Sequence, residues 1–333
     1  MGSGWQRLRR DPVGMAAAGF IVLLVLACFV GAPVAHRLLG HGPLQYFAYG
    51  TNDRQRPVGP WTYVPNQASS YPLPTAHTKK TLFVLGADGP LGRDELLELL
   101  YGGQTTLEIA GGATLLALLI GFVVGTVGGF YRGTVDAVFS RATDLVAAFP
   151  LLLFVLAIGW TIGARINEVT LGFLQPGVLS LIVMIGVFTW PYPARIVRSR
   201  VLALREQEFV EAARMVGARG GRIIRTHLTP HLGGVMVVYA SLILAANVVL
   251  EAALCMLNVG LQPDTPDWGA MLSQNYGTLL FQLQRTGQGL TVPTEQSVWT
   301  QVFPAAALFL TIVAFAILGE SLRRSLDARE AAA

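Results

Sequence analysis

Long apolar stretches that lack Asp, Glu, Lys, Arg and His recur along the chain. Six of them cover residues 13–35, 109–131, 145–164, 169–194, 232–250 and 296–319, and the fifth continues past Glu251 to about Val259. The hydrocarbon core of a bilayer is crossed by roughly 20 mostly apolar helical residues. Because lipid offers backbone amides no hydrogen-bond partner, each stretch is expected to be α-helical. The pattern predicts an all-α integral membrane protein with six transmembrane helices.

The first apolar stretch follows Arg9 and Arg10, an arrangement that also occurs in secretory signal peptides. The apolar region of a signal peptide is only about 7–15 residues long. This stretch has 23 residues, so a retained transmembrane helix is the favoured interpretation.

The distribution of basic residues predicts which way the helices face. Six spans place both termini on one side of the membrane, together with the loop over residues 195–231. Sixteen of the 24 Lys and Arg residues fall on that side, and eight fall on the other. Since positive residues favour the cytoplasmic side, both termini and the 195–231 loop are predicted to be cytoplasmic.

These spans divide the chain into three parts. Residues 1–35 form an N-terminal tail and the first helix. Residues 36–103 form a small extracytoplasmic segment, rich in Pro, Gly and Tyr, that is predicted to end in an amphipathic helix lying in the membrane interface over residues 93–101. Residues 104–330 hold the other five helices and the cytoplasmic loop.

Composition agrees with a membrane protein, because 53% of the residues are hydrophobic and 13% are charged. Soluble domains carry about a quarter charged residues. The net charge of +4 does not indicate a nucleic-acid partner, since the basic residues form no patch interleaved with aromatic residues. Cys28 and Cys255 lie inside apolar stretches and are expected to be buried apolar side chains, not a disulfide or a metal site. The five histidines are scattered and are expected to be solvated or interfacial.

No motif for ATP hydrolysis or metal catalysis is present in the sequence. A P-loop needs a lysine in the pattern Gly-x4-Gly-Lys-Ser/Thr. The only lysines are Lys79 and Lys80, which have no such glycine pattern, and no His-Glu-x-x-His sequence occurs. The chain is therefore expected to be non-catalytic.

The cytoplasmic loop carries an amphipathic helix. Its apolar positions at helical spacing are Phe209, Ala212, Ala213 and Val216, and its polar positions are Glu208, Glu211 and Arg214. Gly217 is expected to end this helix in a left-handed conformation. A second short helix is predicted from Gly221 to about His227, and Pro230 precedes the fifth span. The pattern alone leaves two interpretations open: a basic loop on anionic lipid heads, or a docking site for a cytoplasmic partner.

Several segments resemble known permeases. Glu211-Ala212-Ala213, followed by Gly217 and Pro230, resembles the EAA loop of ATP-binding-cassette (ABC) importer permeases. The stretches that resemble peptide permeases of the DppC/OppC type are Leu85-Gly86-Ala87-Asp88 with Gly92-Arg93-Asp94, the stretch from Glu251 to Gly260, Trp268-Gly269-Ala270-Met271-Leu272, and Gly319-Glu320. The resemblance extends over about residues 10–34 and 85–330.

The resemblance implies a type I ABC importer permease (MetI-like) fold in the inner membrane of a bacterium. Its cargo would be di- or oligopeptides or a related small solute. The implied partners are a homologous second permease subunit, two cytoplasmic ABC ATPases that bind ATP and Mg²⁺, an extracytoplasmic substrate-binding protein and the lipid bilayer. The chain itself would bind no cofactor. The coupling residues would be Glu208, Glu211, Ala212, Ala213, Gly217, Arg222, Ile223 and Pro230.

Residues within the spans suggest contacts inside the bundle. Gly121, Gly125 and Gly129 are spaced four apart, which favours close packing against another helix. Glu251 interrupts the fifth span, and a buried ionisable group usually faces a cavity or a partner. Glu251 and Asn247 are therefore candidates for the translocation pathway or the bundle, unless Glu251 lies at the membrane boundary.

The two alternatives to transport driven by a partner ATPase are a secondary transporter and a non-transport membrane scaffold. A secondary transporter is expected to show internal repeats or charged pairs within its spans, and neither is clear in the sequence. A non-transport scaffold would leave the pattern from Glu211 to Pro230 unexplained.

Overall fold

The computed structural model describes residues 11–52, 57–71, 73–75, 77–89, 91–157, 177–262, 264–274 and 298–330. Four helices in these ranges are long and apolar enough to cross a membrane, and two bent helix pairs raise that number to as many as six. A mostly helical membrane protein is thus confirmed. Both the third and the fourth predicted stretch extend into residues 158–176, which lie outside the described ranges.

Helix α1 (Pro12–Leu39) contains the first predicted span. Asp11 caps it, because its Oδ1 accepts a hydrogen bond of 3.1 Å from the backbone amide of Val13. The helix passes through a π turn at Ala27–Gly31 and ends at Gly40, whose φ of 74° is left-handed. It therefore extends the predicted stretch by one turn at its C-terminal end.

A small cap, residues 40–94, follows α1. Strands β1 (Thr62–Pro65) and β2 (Lys80–Phe83) pair antiparallel, with Thr62 opposite Phe83. The short strands β3 (Ala87–Asp88) and β4 (Arg93–Asp94) form a second antiparallel pair. The cap has its own apolar core, made of Phe47, Val64, Phe83 and Ala87.

Helix α2 (Glu95–Phe130) starts where the cap ends. The Asp94 carboxylate accepts hydrogen bonds from the Leu96 amide (3.0 Å) and from Nε2 of His41 (3.0 Å). His41 is therefore buried in the cap, contrary to the expectation that every histidine is solvated or interfacial.

The first turns of α2 differ from the prediction. The 93–101 stretch, predicted as a separate interfacial helix ending a segment at residue 103, continues without a break into the span. Glu95, Leu97 and Glu98 are buried within the protein. Gly102 and Gly103 lie between the two parts, but they pack tightly against Trp268 and stay helical, so the helix is not interrupted.

Two bent helix pairs follow α2. Helices α3 (Thr134–Ala148) and α4 (Leu151–Ala157) meet at 74°, where Phe149 is extended before Pro150. Helices α5 (Val178–Thr189) and α6 (Pro191–Leu204) meet at 43°. These pairs occupy the described parts of the third and fourth predicted stretches. Helix α6 runs past the predicted end at residue 194, because nothing between Pro193 and Leu204 interrupts it.

The last described helices are α7 (Glu208–Met215), α8 (Gly220–Met256) and α9 (Val298–Glu330). The short helix predicted from Gly221 to His227 is not separate. It forms the first turns of α8, which pass through a π turn at Ile224–Leu228. Pro230 lies within α8, directly after that π turn.

Helix α2 packs against α6 through the predicted glycine seam. A Cβ added at Gly121 would lie 2.8 Å from Pro193, and one at Gly129 would lie 2.9 Å from Val201. Arg198 of α6 also forms a two-point ion pair with Asp136 of α3, at 2.7 and 2.9 Å. The spacing-based prediction of a close helix contact is therefore confirmed.

Contacts at the helix ends define two ends of the bundle. Ser321 of α9 donates a 2.6 Å hydrogen bond to Asp11 at the start of α1, and this bond lowers the pKa of the Asp11 carboxyl. At the other end of the bundle, His41, just after α1, forms a hydrogen bond with Asp94, directly before α2. Helices α1 and α2 are therefore antiparallel, and the start of α1 lies at the same end of the bundle as the C-terminal end of α2.

Candidate functional site

The chain between α6 and α8 forms a compact hairpin, residues 205–219, that contains α7. Gln207 is extended before the helix, and Gly217 follows it with a φ of 84°. Only glycine adopts that left-handed conformation at little cost, so Gly217 allows the chain to turn back towards α8. The predicted helix and its glycine stop are confirmed.

The inner face of α7 holds the hairpin against the bundle. Val210 is fully buried, and it packs with Ile223 of α8 and Val201 of α6 in one apolar cluster. Phe209 and Ala213 pack against the same cluster. Ile223, predicted as a coupling residue, is thus a buried residue that joins α7 to α8.

The outer face of α7 ends in a small apolar surface. Met215 is 84% exposed and Val216 is 89% exposed. Ala212 is exposed as well, and a Cβ added at Gly217 would meet nothing within 4 Å. We call Ala212, Met215, Val216 and Gly217 the tip surface.

The predicted apolar positions are divided between two faces of α7. Phe209 and Ala213 face the protein, whereas Ala212 and Val216 point outward. Val210, which was not among the predicted positions, is the most deeply buried residue of the helix.

The other predicted coupling residues of this region are exposed. They are Glu208 and Glu211 on α7, Arg222 in the first turn of α8, and Pro230 further along α8. Met215 and Val216 thus leave a small apolar surface exposed at the end of a polar hairpin.

The hairpin is also tied to the C-terminal end of α2. Arg205 donates a 2.7 Å hydrogen bond to the backbone oxygen of Gly129. Arg132 forms an ion pair with Glu206, and its charge lowers the pKa of that carboxyl. The guanidinium of Arg214 lies 5.6 Å from the centre of the Phe130 ring. A displacement of the hairpin is therefore transmitted to α2 as well as to α6 and α8.

Sequence reasoning missed these contacts with α2. Arg205 and Gly129 are 76 positions apart, and Arg132 and Glu206 are 74 apart. Periodicity within one segment carries no information about such pairs. The basic character of the loop was the only feature of the sequence that could have indicated these contacts with α2.

Asn247 is a buried bundle residue. Its Nδ2 donates a 2.9 Å hydrogen bond to Oγ1 of Thr114, which in turn donates to the backbone oxygen of Ala110 at 2.7 Å. Asn247 is 1% exposed, so its amide serves to join α8 to α2.

Glu251 is fully buried inside the protein, not placed at a water-exposed boundary. Its Oε1 accepts a hydrogen bond from Sγ of Cys255 at 3.5 Å. Asp267, in the loop after α8, is also fully buried, and one of its carboxylate oxygens lies within 4.8 Å of a carboxylate oxygen of Glu251 and of the sulfur of Cys255. Sequence reasoning missed Asp267, because it is remote from Glu251 in the chain and follows no helical pattern.

Comparison with known proteins identifies the family. Residues 117–331 match the family described as binding-protein-dependent transport system inner membrane component. Residues 1–57 match the N-terminal TM domain of oligopeptide transport permease C.

Individual relatives cover most of the chain. A protein of Brucella ovis that carries a peptide permease name is 33% identical over 267 residues, which is 80% of this chain and 79% of that protein. The glutathione transport system permease protein GsiD of Pectobacterium atrosepticum is 29% identical over 323 residues, covering 97% of this chain and 89% of that protein.

One solved structure is also similar. A chain of the MetNI methionine ABC transporter, in an inward-facing conformation, aligns with a TM-score of 0.48 and 17% identity, covering 68% of this chain and 95% of that chain. The family assignment rests on the sequence matches, which extend over the helices that carry the hairpin and the glycine seam. The chain belongs to the binding-protein-dependent transport system inner membrane components, as an ABC importer permease of the DppC/OppC type.

Proposed function

We propose that this chain is one membrane-spanning subunit of an ATP-driven importer in the inner membrane of a bacterium. Its termini and the 205–219 hairpin face the cytoplasm, and the cap faces outward. The excess of Lys and Arg on the side of the termini supports this orientation, with sixteen residues against eight. Contacts between Asp11 and Ser321 agree with termini that share one side.

The observation that best supports this proposal is the exposed tip surface. The tip surface docks into a groove of a cytoplasmic ABC ATPase, where Met215 and Val216 leave water and Ala212 permits a close approach. The acidic residues Glu208 and Glu211 border the contact. Burying apolar area contributes about 25 cal/mol per Å², so two exposed side chains of this size favour docking by several kcal/mol before the entropic cost of association is subtracted.

The hairpin converts movement of the ATPase into movement of the spans. A ligand shifts a conformational equilibrium only through contacts that differ between the two states. Val210 and Ile223 anchor the hairpin to α6 and α8, and Arg205 anchors it to α2. Closure of the ATPases around ATP and Mg²⁺ therefore moves three helices together.

The other partners follow from the family. A second, homologous permease subunit completes the pathway, and an extracytoplasmic binding protein delivers cargo. The cargo is a short peptide or a peptide-like solute, as the names of the peptide and glutathione permease relatives indicate. The bound ATP belongs to the partners, since the chain's two lysines are not part of a P-loop.

Co-purification with the ATPase tests the docking surface. Replacing the exposed Ala212 by Asp places a carboxylate in the contact, where burial without a partner costs several kcal/mol. We expect ATPase retention to fall by at least about tenfold, the equivalent of about 1.4 kcal/mol. The matched control is Ala68→Asp, at an exposed alanine of the cap, which should retain the ATPase fully. Equal retention by both variants would contradict docking at the tip surface.

A further inference from the structure

Three buried side chains with metal-binding atoms meet where α8 approaches the loop that follows it. Glu251 and Cys255 lie four residues apart on α8, and Asp267 comes from the loop. One ligand atom from each residue lies within 4.8 Å of the other two, and all three residues are buried. We call these residues the Glu251 cluster.

The carboxylate of Asp267 is held in a fixed orientation. Its Oδ1 accepts hydrogen bonds from the backbone amides of Gly269 (2.8 Å) and Ala270 (3.0 Å). Its Oδ2 accepts a 2.8 Å hydrogen bond from the hydroxyl of Thr106 on α2. Carboxylates that bind metals are commonly held by hydrogen bonds of this kind.

The side chain of Glu251 provides a second, independent indication of a bound ion. Its Oε2 has no hydrogen-bond partner among the described residues, although the side chain is completely buried. A buried carboxylate oxygen without a partner costs free energy, and native structures usually supply a donor or an ion. The unpartnered oxygen belongs to the group that faces Cys255 and Asp267.

We propose that Glu251, Cys255 and Asp267 bind a divalent metal ion, and that the ion is Zn²⁺. Zinc accepts a mixed set of thiolate sulfur and carboxylate oxygen ligands, whereas Ca²⁺ and Mg²⁺ prefer oxygen ligands alone. Two positive charges would offset most of the negative charge that these groups bury. The ion would fasten the end of α8 to the loop and, through Thr106, to α2.

Metal content and spectroscopy test the site in the full-length chain assembled with its partners. The assembly is purified through a tag without histidine, washed with a chelator and titrated with Zn²⁺. We expect about one Zn²⁺ per chain. With Co²⁺ as the probe, we expect an absorption band from thiolate-to-cobalt charge transfer.

Single substitutions assign the ligands. Cys255→Ser, Glu251→Gln and Asp267→Asn should each weaken Zn²⁺ binding by at least about tenfold, and Cys255→Ser should also remove the charge-transfer band. Thr106→Val leaves all three ligands in place and should weaken binding by about 10–100-fold. The matched control is Cys28→Ala, at the other buried free cysteine, which should bind Zn²⁺ normally.

Two outcomes would overturn the proposal. One is a wild-type assembly that binds no Zn²⁺ and shows no cobalt band, a result that does not depend on any variant folding. The other is unchanged binding by Cys255→Ser. The first result would mean that the two carboxyl groups are stabilised by a shared proton instead. The second would mean that Zn²⁺ binds at a site that does not include Cys255.

Discussion

The double variant Met215→Asp/Val216→Asp should lose ATP-driven uptake while remaining folded in the membrane. Both side chains are more than four-fifths exposed, so the substitutions remove little packing within the chain. At the proposed contact they replace two apolar side chains by two carboxylates, one of them a helical turn from Glu211. Desolvation of these carboxylates disfavours docking by several kcal/mol. We expect uptake in proteoliposomes to fall at least about a hundredfold, the equivalent of about 2.7 kcal/mol.

Two measurements make this result specific to the tip surface. Thermal stability of the variant chain should match that of the wild type. The control Leu73→Asp changes a side chain that is 71% exposed in the cap, and it should keep the ATPase bound. Uptake by the double variant at the wild-type rate would show that the tip surface does not couple to the ATPase.

The second large effect is expected at the glycine seam, where Gly125→Ala should destabilise the bundle. A Cβ at this position would lie 2.8 Å from the Cβ of Val197 and 3.0 Å from the backbone nitrogen of Arg198. Backbone atoms of α6 cannot move aside without shifting the whole helix. Overpacking of this kind costs about 1–3 kcal/mol. Thermal unfolding in detergent should therefore begin at a lower temperature.

Gly111→Ala is the matched control, because it makes the same change in the same helix. A Cβ at Gly111 would meet nothing within 4 Å. Alanine has a higher helix propensity than glycine by about 1 kcal/mol, so this variant should be as stable as the wild type or slightly more stable. If both variants unfold at the same temperature, α2 and α6 do not pack through the glycines.

The helices and the glycine seam could be predicted because their signals are local. Residues four apart lie on one face of a helix, so Gly121, Gly125 and Gly129 indicate a contact without any knowledge of the partner. The left-handed backbone conformation at position 217 could likewise be predicted from the glycine itself. The length of each apolar stretch reflects the thickness of the bilayer.

Features that depend on distant residues could not be predicted. The start of α2 around Glu95 was predicted to lie in the membrane interface because it carries charged residues. Its burial depends on the cap, whose fold the local sequence pattern does not predict. The face of α7 was set by Val210 packing against Val201 and Ile223, not by its own periodicity. Asp267 reaches Glu251 only through the path of the loop.

Cross-linking from the tip surface addresses the proposed function most directly. Met215→Cys introduces an exposed thiol, whereas the native Cys28 and Cys255 are both buried. In membrane vesicles that contain the assembled transporter, a short thiol-reactive cross-linker should join position 215 to the ATPase, and Ala68→Cys in the cap should give no such product. The extent of cross-linking should change when ATP is bound. Labelling of position 215 only from the extracytoplasmic side, or no product with the ATPase, would contradict a cytoplasmic coupling hairpin.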